Sequence, residues 1–457
     1  MSKEEISRRN FIGKTTVGVA GLGLSSGTSA MNAASYKRIL GANDRINIGF
    51  LGCGGRSHGH QNMVKMSAKN KNLGVIAVCD LWTKNREDTA SHCKTMFGYE
   101  VKKFKYSEEM LRMPDLDAVM IATGDFQHAR LLADVVKAGK DCYCEKPMST
   151  SLVEAKLARE AVLSSKQVAQ MGSQWVSDPV QLKVRDIVRS GKLGQITKIE
   201  QVWNDNGPRW HDPNDPDVAA IREGDTDWNR WLLGKPYEPF NPWKYFEFRI
   251  FREYSGGITS QWMSHAIGLA HFYTDTSIPD SMVANGGIFG WPDIRENPDT
   301  FQALATYNDA KLLYSYSSSY ANKFGDYTCI RGKEGTLFAH GGEGSPRWFY
   351  IPEHLDLPGG FDFYEGLKDA VKNGKAELVT TEEYGMKLPP VSLSDDSKYH
   401  MDNWVDCMRA RNVHTNGNIH TGFWHSVGTI MATRSYREGK KLYWDKLKEE
   451  IVDHPVV

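Results

Sequence analysis

The 457-residue sequence predicts an α/β domain followed by an α+β domain. Three observations carry that expectation. An apolar run, Ile46 to Leu51, meets a glycine cluster at Gly52, Gly54 and Gly55, then a helix-compatible stretch, His60 to Lys69, then a second apolar run, Val75 to Val78, ending on Asp80. The same alternation of strand-like and helix-like stretches continues to about residue 168. After about residue 170 the rhythm stops, and strand-like runs joined by long polar connections replace it. Repeated βα units imply a parallel sheet with right-handed crossovers.

The opening strand–turn–helix–strand order is that of a dinucleotide-binding βαβ unit. A pyrophosphate is negatively charged and must approach the backbone closely. Glycines permit the turn and remove side chains that would block that approach. The helix that follows offers free N–H groups and the positive end of its dipole. The segment Gly52, Cys53, Gly54, Gly55, Arg56 and Ser57 is therefore the expected phosphate cradle, with Ser57 where a third glycine is usual. Asp80 can accept hydrogen bonds from ribose hydroxyls and would repel a 2′-phosphate. That inclines the cofactor to NAD, while Lys84 and Arg86 keep NADP open.

Beyond Asp80, Lys84 to Met96 reads as a helix, Val101 to Tyr106 as an edge strand and Glu108 to Arg112 as a short helix. Asp117 to Thr123 reads as a buried strand, Gln127 to Ala138 as a helix closed by Gly139, and Asp141 to Cys144 as a strand. Ligands of such sheets sit at the C-terminal strand ends. Three loops fall there: Gly52–Ser57, Thr123–His128 and Glu145–Pro147. In the second region, Ile196 to Trp203, Phe301 to Tyr307, Leu312 to Tyr316 and Tyr327 to Arg331 read as strands, and Asn204 to Asp217 as a long loop at a substrate site.

Lys+Arg and Asp+Glu are both 56, so no net charge attracts nucleic acid or anionic lipid. No stretch is apolar and long enough to cross a bilayer stably. The seven cysteines are scattered and odd in number, which argues against a disulfide framework, and Cys142 and Cys144 read as buried packing. No His/Asp/Glu group has metal-ligand spacing. Thirteen tryptophans, mostly after residue 170, suit stacking on sugar rings as well as core packing. Ser7-Arg8-Arg9-Asn10-Phe11-Ile12-Gly13-Lys14, followed by a weakly apolar Val17 to Leu24, resembles a twin-arginine export signal. Residues 1–34 are expected to be that signal, 44–168 the nucleotide domain and 169–457 the second domain, with export to the periplasm.

Together, the glycine cluster, Ala118 to His128, Glu145-Lys146-Pro147, Asp227 to Gly234 and Gly256 to His265 resemble the glucose-fructose oxidoreductase / inositol dehydrogenase (Gfo/Idh/MocA) family over residues 44 to 430. The resemblance implies a Rossmann domain followed by an α+β domain whose open, mostly antiparallel sheet faces the nicotinamide and often makes a homo-oligomer. It also implies an NAD(P)-dependent oxidoreductase with a sugar as substrate. Thr123, Asp125, His128 and Glu145 join the cofactor site by that resemblance. Lys146 is the implied catalytic group, beside the nicotinamide and within reach of the reacting hydroxyl, and a cation beside the bound nicotinamide would lower its pKa as a base requires.

His265 is the second expected catalytic residue. The family's sugar dehydrogenases carry an Asp four residues before this His, one helical turn away. Here that position is Gln261, which cannot take a proton, and Gly268 stands where another Asp is common. The base must then be His265, Lys146 or a loop group such as Tyr254 or His211. Gln174, Trp175, Trp203, Arg209, His211, Gln261 and His265 are the expected substrate contacts, with His271, His420 and His425 less defined. A periplasmic enzyme has no free NAD(P)H pool, so a bound cofactor must be regenerated in place. Paired oxidoreduction of sugars does this. So does redox-neutral glycoside cleavage, by transient oxidation and elimination. A catalytically weak sugar-binding protein is the reading from another class.

Overall fold

The computed structural model describes residues 45–340, 347–357, 363–379 and 393–456, and the expected export signal lies outside them. One compact body begins at Ile46. Strands are numbered in chain order, as are helices of ten or more residues.

The first sheet contains β1 (Ile46–Leu51), β2 (Leu73–Cys79), β3 (Lys102–Phe104), β4 (Ala118–Ile121), β5 (Asp141–Cys144) and β6 (Ala169–Met171) in the order β3-β2-β1-β4-β5-β6. Every pairing is parallel. The connecting helices α1 (Gly55–Lys71), α2 (Thr83–Phe97), α3 (His128–Lys137) and α4 (Leu152–Ser164) cover both faces. That is why β4 and β5 are buried along their whole length and read as unbroken apolar runs. The strand order reverses direction between β1 and β4, and the crevice outside their C-terminal ends is where such folds bind ligands. β6 extends this sheet past the expected boundary at residue 168. Its three residues are too few to declare a strand by pattern.

After α5 (Pro179–Arg189) the second sheet is built from β7 (Ile196–Asn204), β8 (Ser281–Gly287), β9 (Thr300–Tyr307), β10 (Leu312–Ser319), β11 (Tyr327–Gly332), β12 (Gly335–His340), β13 (Arg347–Pro352), β14 (Glu377–Leu378), β15 (Leu442–Asp445) and β16 (Glu450–Val452). Their order is β14-β13-β12-β11-β7-β10-β9-β8-β15-β16, and only β7 and β10 pair in parallel. On β9, Phe301, Ala303, Ala305 and Tyr307 are buried, while Gln302 and Leu304 are exposed. One face therefore packs on α6 (Ser264–Thr274) and α9 (Ile419–Glu438), and the other carries the exposed side chains. Helix α7 (Phe363–Lys372) lies beside the far edge.

Two features tie the halves together. Residues 205–255, between β7 and α6, form short helical turns with an aromatic core of Trp228, Trp231, Tyr245, Phe248 and Tyr254. That core also takes Trp82 and Phe126 from the first sheet's loops, so the segment is held over the C-terminal strand ends. Helix α8 (Leu393–Ala410) returns to the first domain. Its Met401, Trp404, Val405 and Met408 are buried with Met63, Val64 and Tyr143, and Ser67 Oγ donates to Asp402 Oδ1 at 2.6 Å. The expected second domain, 169–457, thus gives one helix back to the first, because that helix's apolar stripe finds its cover on α1.

Candidate active site

The glycine turn is forced by its surroundings. Gly52 has φ +85°, and a Cβ there would stand 2.4 Å from the Ala122 carbonyl oxygen. Gly54 and Gly55 face space instead: a Cβ on Gly54 would meet nothing nearer than the Asn85 amide at 3.7 Å, and one on Gly55 nothing within 4 Å. The first turn of α1 therefore opens its backbone N–H groups to the cleft. Asp80 fixes the loop to β2, accepting from Cys53 N–H at 2.7 Å through Oδ2 and from Trp82 N–H at 2.8 Å through Oδ1. Each oxygen keeps a lone pair for a ribose hydroxyl. Of the nearby cations, Lys84 pairs with Asp88 at 3.1 Å and Asp217 at 3.5 Å, and Arg86 donates to the Asp80 carbonyl at 2.7 Å.

At the end of β5, buried Glu145 accepts from Arg56 Nε at 2.7 Å and Gln174 Nε2 at 3.2 Å, and lies 2.9 Å from His60 Nε2. Burial alone would raise its pKa. Arg56 and His60 outweigh burial and hold the carboxyl well below the usual range. Gly172 is packed against it, since a Cβ there would come within 2.7 Å of Glu145 Oε2. The next peptide, Lys146–Pro147, is cis, and the Pro147 carbonyl lies 2.8 Å from His128 Nδ1. His128 Nε2 lies 3.2 Å from the Thr123 carbonyl, so the histidine ties two of the three strand-end loops together.

Lys146 projects from this frame to Gln261. Its Nζ donates to the Gln261 carbonyl at 2.7 Å and to Oε1 at 3.3 Å. Burial pushes its pKa down to about 8, against the opposing pull of the Glu145 and Asp125 carboxylates. Gln261 lies in a π-helical turn, Thr259–Met263, that leads into α6; single π-turns concentrate at functional sites. Its Nε2 donates to Asp125 Oδ2 at 2.6 Å, and Ser255 Oγ donates to the same oxygen at 2.6 Å. Asp125, from the loop after β4, thus reaches the lysine's partner through the Gln261 amide, alongside the Glu145 carboxylate.

His265 is half-buried, its ring 4.9 Å from Trp175 and 6.3 Å from Trp203. Burial and the Lys146 charge push its pKa well below the ordinary histidine value, so it is neutral at physiological pH. Trp203 stacks on Trp262 at 4.8 Å and 6°, with the Arg209 guanidinium 5.3 Å from the Trp262 ring. A cleft of about 520 Å³ collects the glycine loop, Asp80, Thr123, Asp125, His128, Glu145, Lys146 and Gln261, within the range usual for cofactor sites. Arg209 and His211 line a neighbouring cavity of about 450 Å³, which shares Asp215, Phe246 and Arg249 with the first. Arg209 is paired with Asp205 at 2.5 Å and His211 with Glu247 at 2.8 Å.

Some expected contacts are used elsewhere. Gln174 is buried, its amide donating to Tyr143 Oη at 2.7 Å and to Glu145. Tyr254 donates to Glu238. His271 lies 2.8 Å from Tyr307 Oη, within the core. His425 is buried behind Lys146, accepting from Met148 N–H at 3.4 Å, and exposed His420 packs on Trp424 at 5.8 Å. Two residues of the site escaped sequence reading: Ser255, and Arg249, which lines both cavities and stands over the Phe248 ring at 4.3 Å. The signal for Arg249 was a cation inside the aromatic run Phe248-Arg249-Ile250-Phe251. All seven cysteines are buried and unpaired. Among the described residues there is no metal-binding cluster and no helix long and apolar enough to cross a membrane.

A parallel sheet in this strand order, with a glycine turn after β1 and an aspartate at the end of β2, defines a nucleotide-binding Rossmann domain. Residues 46–173 match the Gfo/Idh/MocA model, described as "Oxidoreductase family, NAD-binding Rossmann fold". The inositol 2-dehydrogenase 2 of Saccharopolyspora erythraea is 27% identical over 194 residues, 42% of this chain and 54% of that protein. The inositol 2-dehydrogenase of Rubrobacter xylanophilus is 30% identical over 157 residues, 34% of this chain and 43% of its own length. The chain thus spans about half the length of the curated relatives it matches. Among solved structures, levoglucosan dehydrogenase in complex with NADH superposes with a TM-score of 0.64 at 14% identity, covering 90% of this chain and all of the other. The WlbA dehydrogenase of Bordetella pertussis, in complex with NADH and UDP-GlcNAcA, gives 0.61 at 16%, covering 88% and 99%. These show that the two-domain fold is shared.

Proposed function

We propose that the protein is an NAD(P)-dependent oxidoreductase that takes hydride from a ring carbinol of a sugar or sugar derivative, with Lys146 as the base. The observation that carries this is a lysine of pKa about 8 at the mouth of the nucleotide cleft, aimed by the carbonyl and side chain of Gln261. The bound nicotinamide supplies the hydride acceptor. The glycine turn and the first turn of α1 would hold its pyrophosphate, and Asp80 its ribose. The amine form of Lys146 accepts the hydroxyl proton as the carbinol becomes a carbonyl and returns it in the reverse direction. Neutral His265 offers the substrate a second hydrogen bond, and Trp175 and Trp203 offer stacking faces. The inositol and levoglucosan dehydrogenases among its relatives support a polyhydroxylated substrate.

Tight retention of the cofactor belongs to the same proposal. Tyr245, Phe246 and Arg230, all from the 205–255 segment, line the nucleotide cleft alongside the first domain's loops. The twin-arginine-like start supports export, where a retained cofactor is needed. The test is to purify the protein without added nucleotide, denature it and identify what is released. About one NAD(H) or NADP(H) per chain is expected; an empty protein that binds neither would overturn the proposal. Screening sugars and aryl glycosides then reads the chemistry. Carbonyl formation is expected, whereas aglycone release with no net change in NADH absorbance would assign redox-neutral cleavage instead. Lys146→Ala should lower turnover by about 10²–10⁴-fold, the usual worth of a positioned base.

A further inference from the structure

A third cavity, of about 330 Å³, lies behind the Ser255–Ser260 turn. Its charged lining is Arg130, Lys235, Arg252 and Arg437 against Glu154 and Glu253. Lys235 is matched, pairing with Glu253 at 2.8 Å. That leaves three guanidiniums facing Glu154, with the Glu296 carboxylate close by, accepting from the Arg252 backbone N–H at 2.9 Å, and none of the three makes an ion pair among the described residues. Arg130 Nη1 donates to the Leu233 carbonyl at 2.7 Å, Arg252 Nε to the Glu296 carbonyl at 2.9 Å, and Arg437 Nη2 to the Ser255 carbonyl at 3.0 Å and to Asn297 Oδ1 at 3.1 Å. These bonds fix the side chains and leave other guanidinium N–H groups without an acceptor among the described residues. Arg252 and Arg437 are near enough to oppose each other's charge: burial first, then that repulsion, lower the Arg437 pKa against the smaller opposing pull of Glu296 and Glu253. The other lining groups include six serine or threonine residues. Like charges gathered in a walled cavity are stabilised by an anion between them, and guanidinium–oxyanion pairs are the strong, directional form of that contact.

We propose that this cavity is a second binding site, separate from the nucleotide cleft, for a small polyhydroxylated oxyanion: a phosphorylated or carboxylated sugar. The arginines take the oxyanion and the hydroxyl-rich wall takes the polyol. The site shares Ser255 with the active centre, since this residue lines the cavity while its hydroxyl holds Asp125.

The test is calorimetric titration of the full chain with inorganic phosphate, glucose 6-phosphate and glucuronate, with NAD⁺ present so that the glycine loop is occupied. Saturable binding of at least one ligand is expected, with a dissociation constant at or below about 1 mM. Arg252→Gln and Arg130→Gln should each weaken it by about tenfold, the worth of one charge-assisted hydrogen bond. Glucose 6-phosphate binding tighter than phosphate would assign the polyol wall as well as the arginines; glucuronate binding tighter still would assign a carboxylate. Thermal unfolding of the variants without ligand shows that they fold, and at a given ligand concentration the wild-type midpoint should rise further than theirs. No saturable binding of any of the three, or binding unchanged in both arginine variants, overturns the site.

Discussion

At the scale of single residues, the proton transfer proposed for Lys146 rests on the balance of charge around it. Burial lowers its pKa, Glu145 and Asp125 raise it, and Arg249 and Arg56 lower it. Glu145 is locked among Arg56, His60 and Gln174, so its charge is a fixed part of the frame. Asp125 is the adjustable term. Asp125→Asn keeps an acceptor for the Gln261 amide and removes one negative charge. The sign follows: losing a charge that raises the lysine pKa lets it fall. Carbinol oxidation needs the amine form, so wild-type kcat/KM should rise with pH through about 8 and level off above it. In Asp125→Asn that limb should move to lower pH. A pH–rate series on both proteins checks this, and a limb that stays in place or moves up would show that Asp125 does not act on the lysine. His265 adds no limb of its own between pH 6 and 9, roughly, because its pKa lies well below the usual histidine value.

At the scale of elements, what the sequence revealed and what it hid have distinct physical causes. The parallel strands were legible because burial on both faces forces continuous apolar runs, and β5 occupies the very residues its pattern predicts, Asp141–Cys144. The glycine turn was legible because its first position, Gly52, admits only glycine. Gly52→Ala shows this at its sharpest: φ is +85° and the new Cβ would overlap the Ala122 carbonyl. The β1–β4 crevice would have to open. We expect a loss of about 1–3 kcal/mol in stability, read as a lower unfolding midpoint, together with loss of nucleotide binding. Unchanged affinity would remove this turn from the cofactor site. What stayed hidden depends on partners distant in sequence. Nothing near Gln174 says that its amide faces Tyr143 and Glu145. A four-residue spacing between Gln261 and His265 implies a regular helix, whereas the chain makes a π-turn there. The Gln261 amide is held by Asp125, 136 residues earlier, a contact that only the folded chain reveals. The aromatic composition of residues 205–255 was visible, but not that its core closes over Trp82 and Phe126.

At the scale of the whole molecule, the second sheet carries apolar side chains that are exposed among the described residues. Val283 on β8, Leu304 on β9 and Leu313 on β10 are 41%, 42% and 38% exposed. These strands are neighbours, in the order β10-β9-β8, and Leu304 is directly opposite both Val283 and Ser315 in register. Exposed apolar side chains scattered singly need no explanation, but a contiguous group on an open sheet face marks an interaction surface. We propose that this face joins two copies of the chain, as expected from the sequence resemblance. A two-fold axis would bring each patch against its equivalent, the usual geometry of homo-dimers. The rest of that face is mixed: Lys198, Glu200 and Arg331 form a charged cluster on β7 and β11, with Arg331 Nε 2.7 Å from Glu200. Such a cluster sets register at an interface more than it adds affinity. Leu304→Asp places a carboxylate at the centre of the apolar group without touching the core side of β9, where Phe301, Ala303 and Ala305 are buried. Light scattering after gel filtration should show an oligomer for the wild type and a folded monomer for the variant. The nucleotide cleft lies at the strand ends of the first sheet, so cofactor content should be unaltered. A wild-type monomer, or a variant that keeps the wild-type mass, would show that this face meets something other than a second copy.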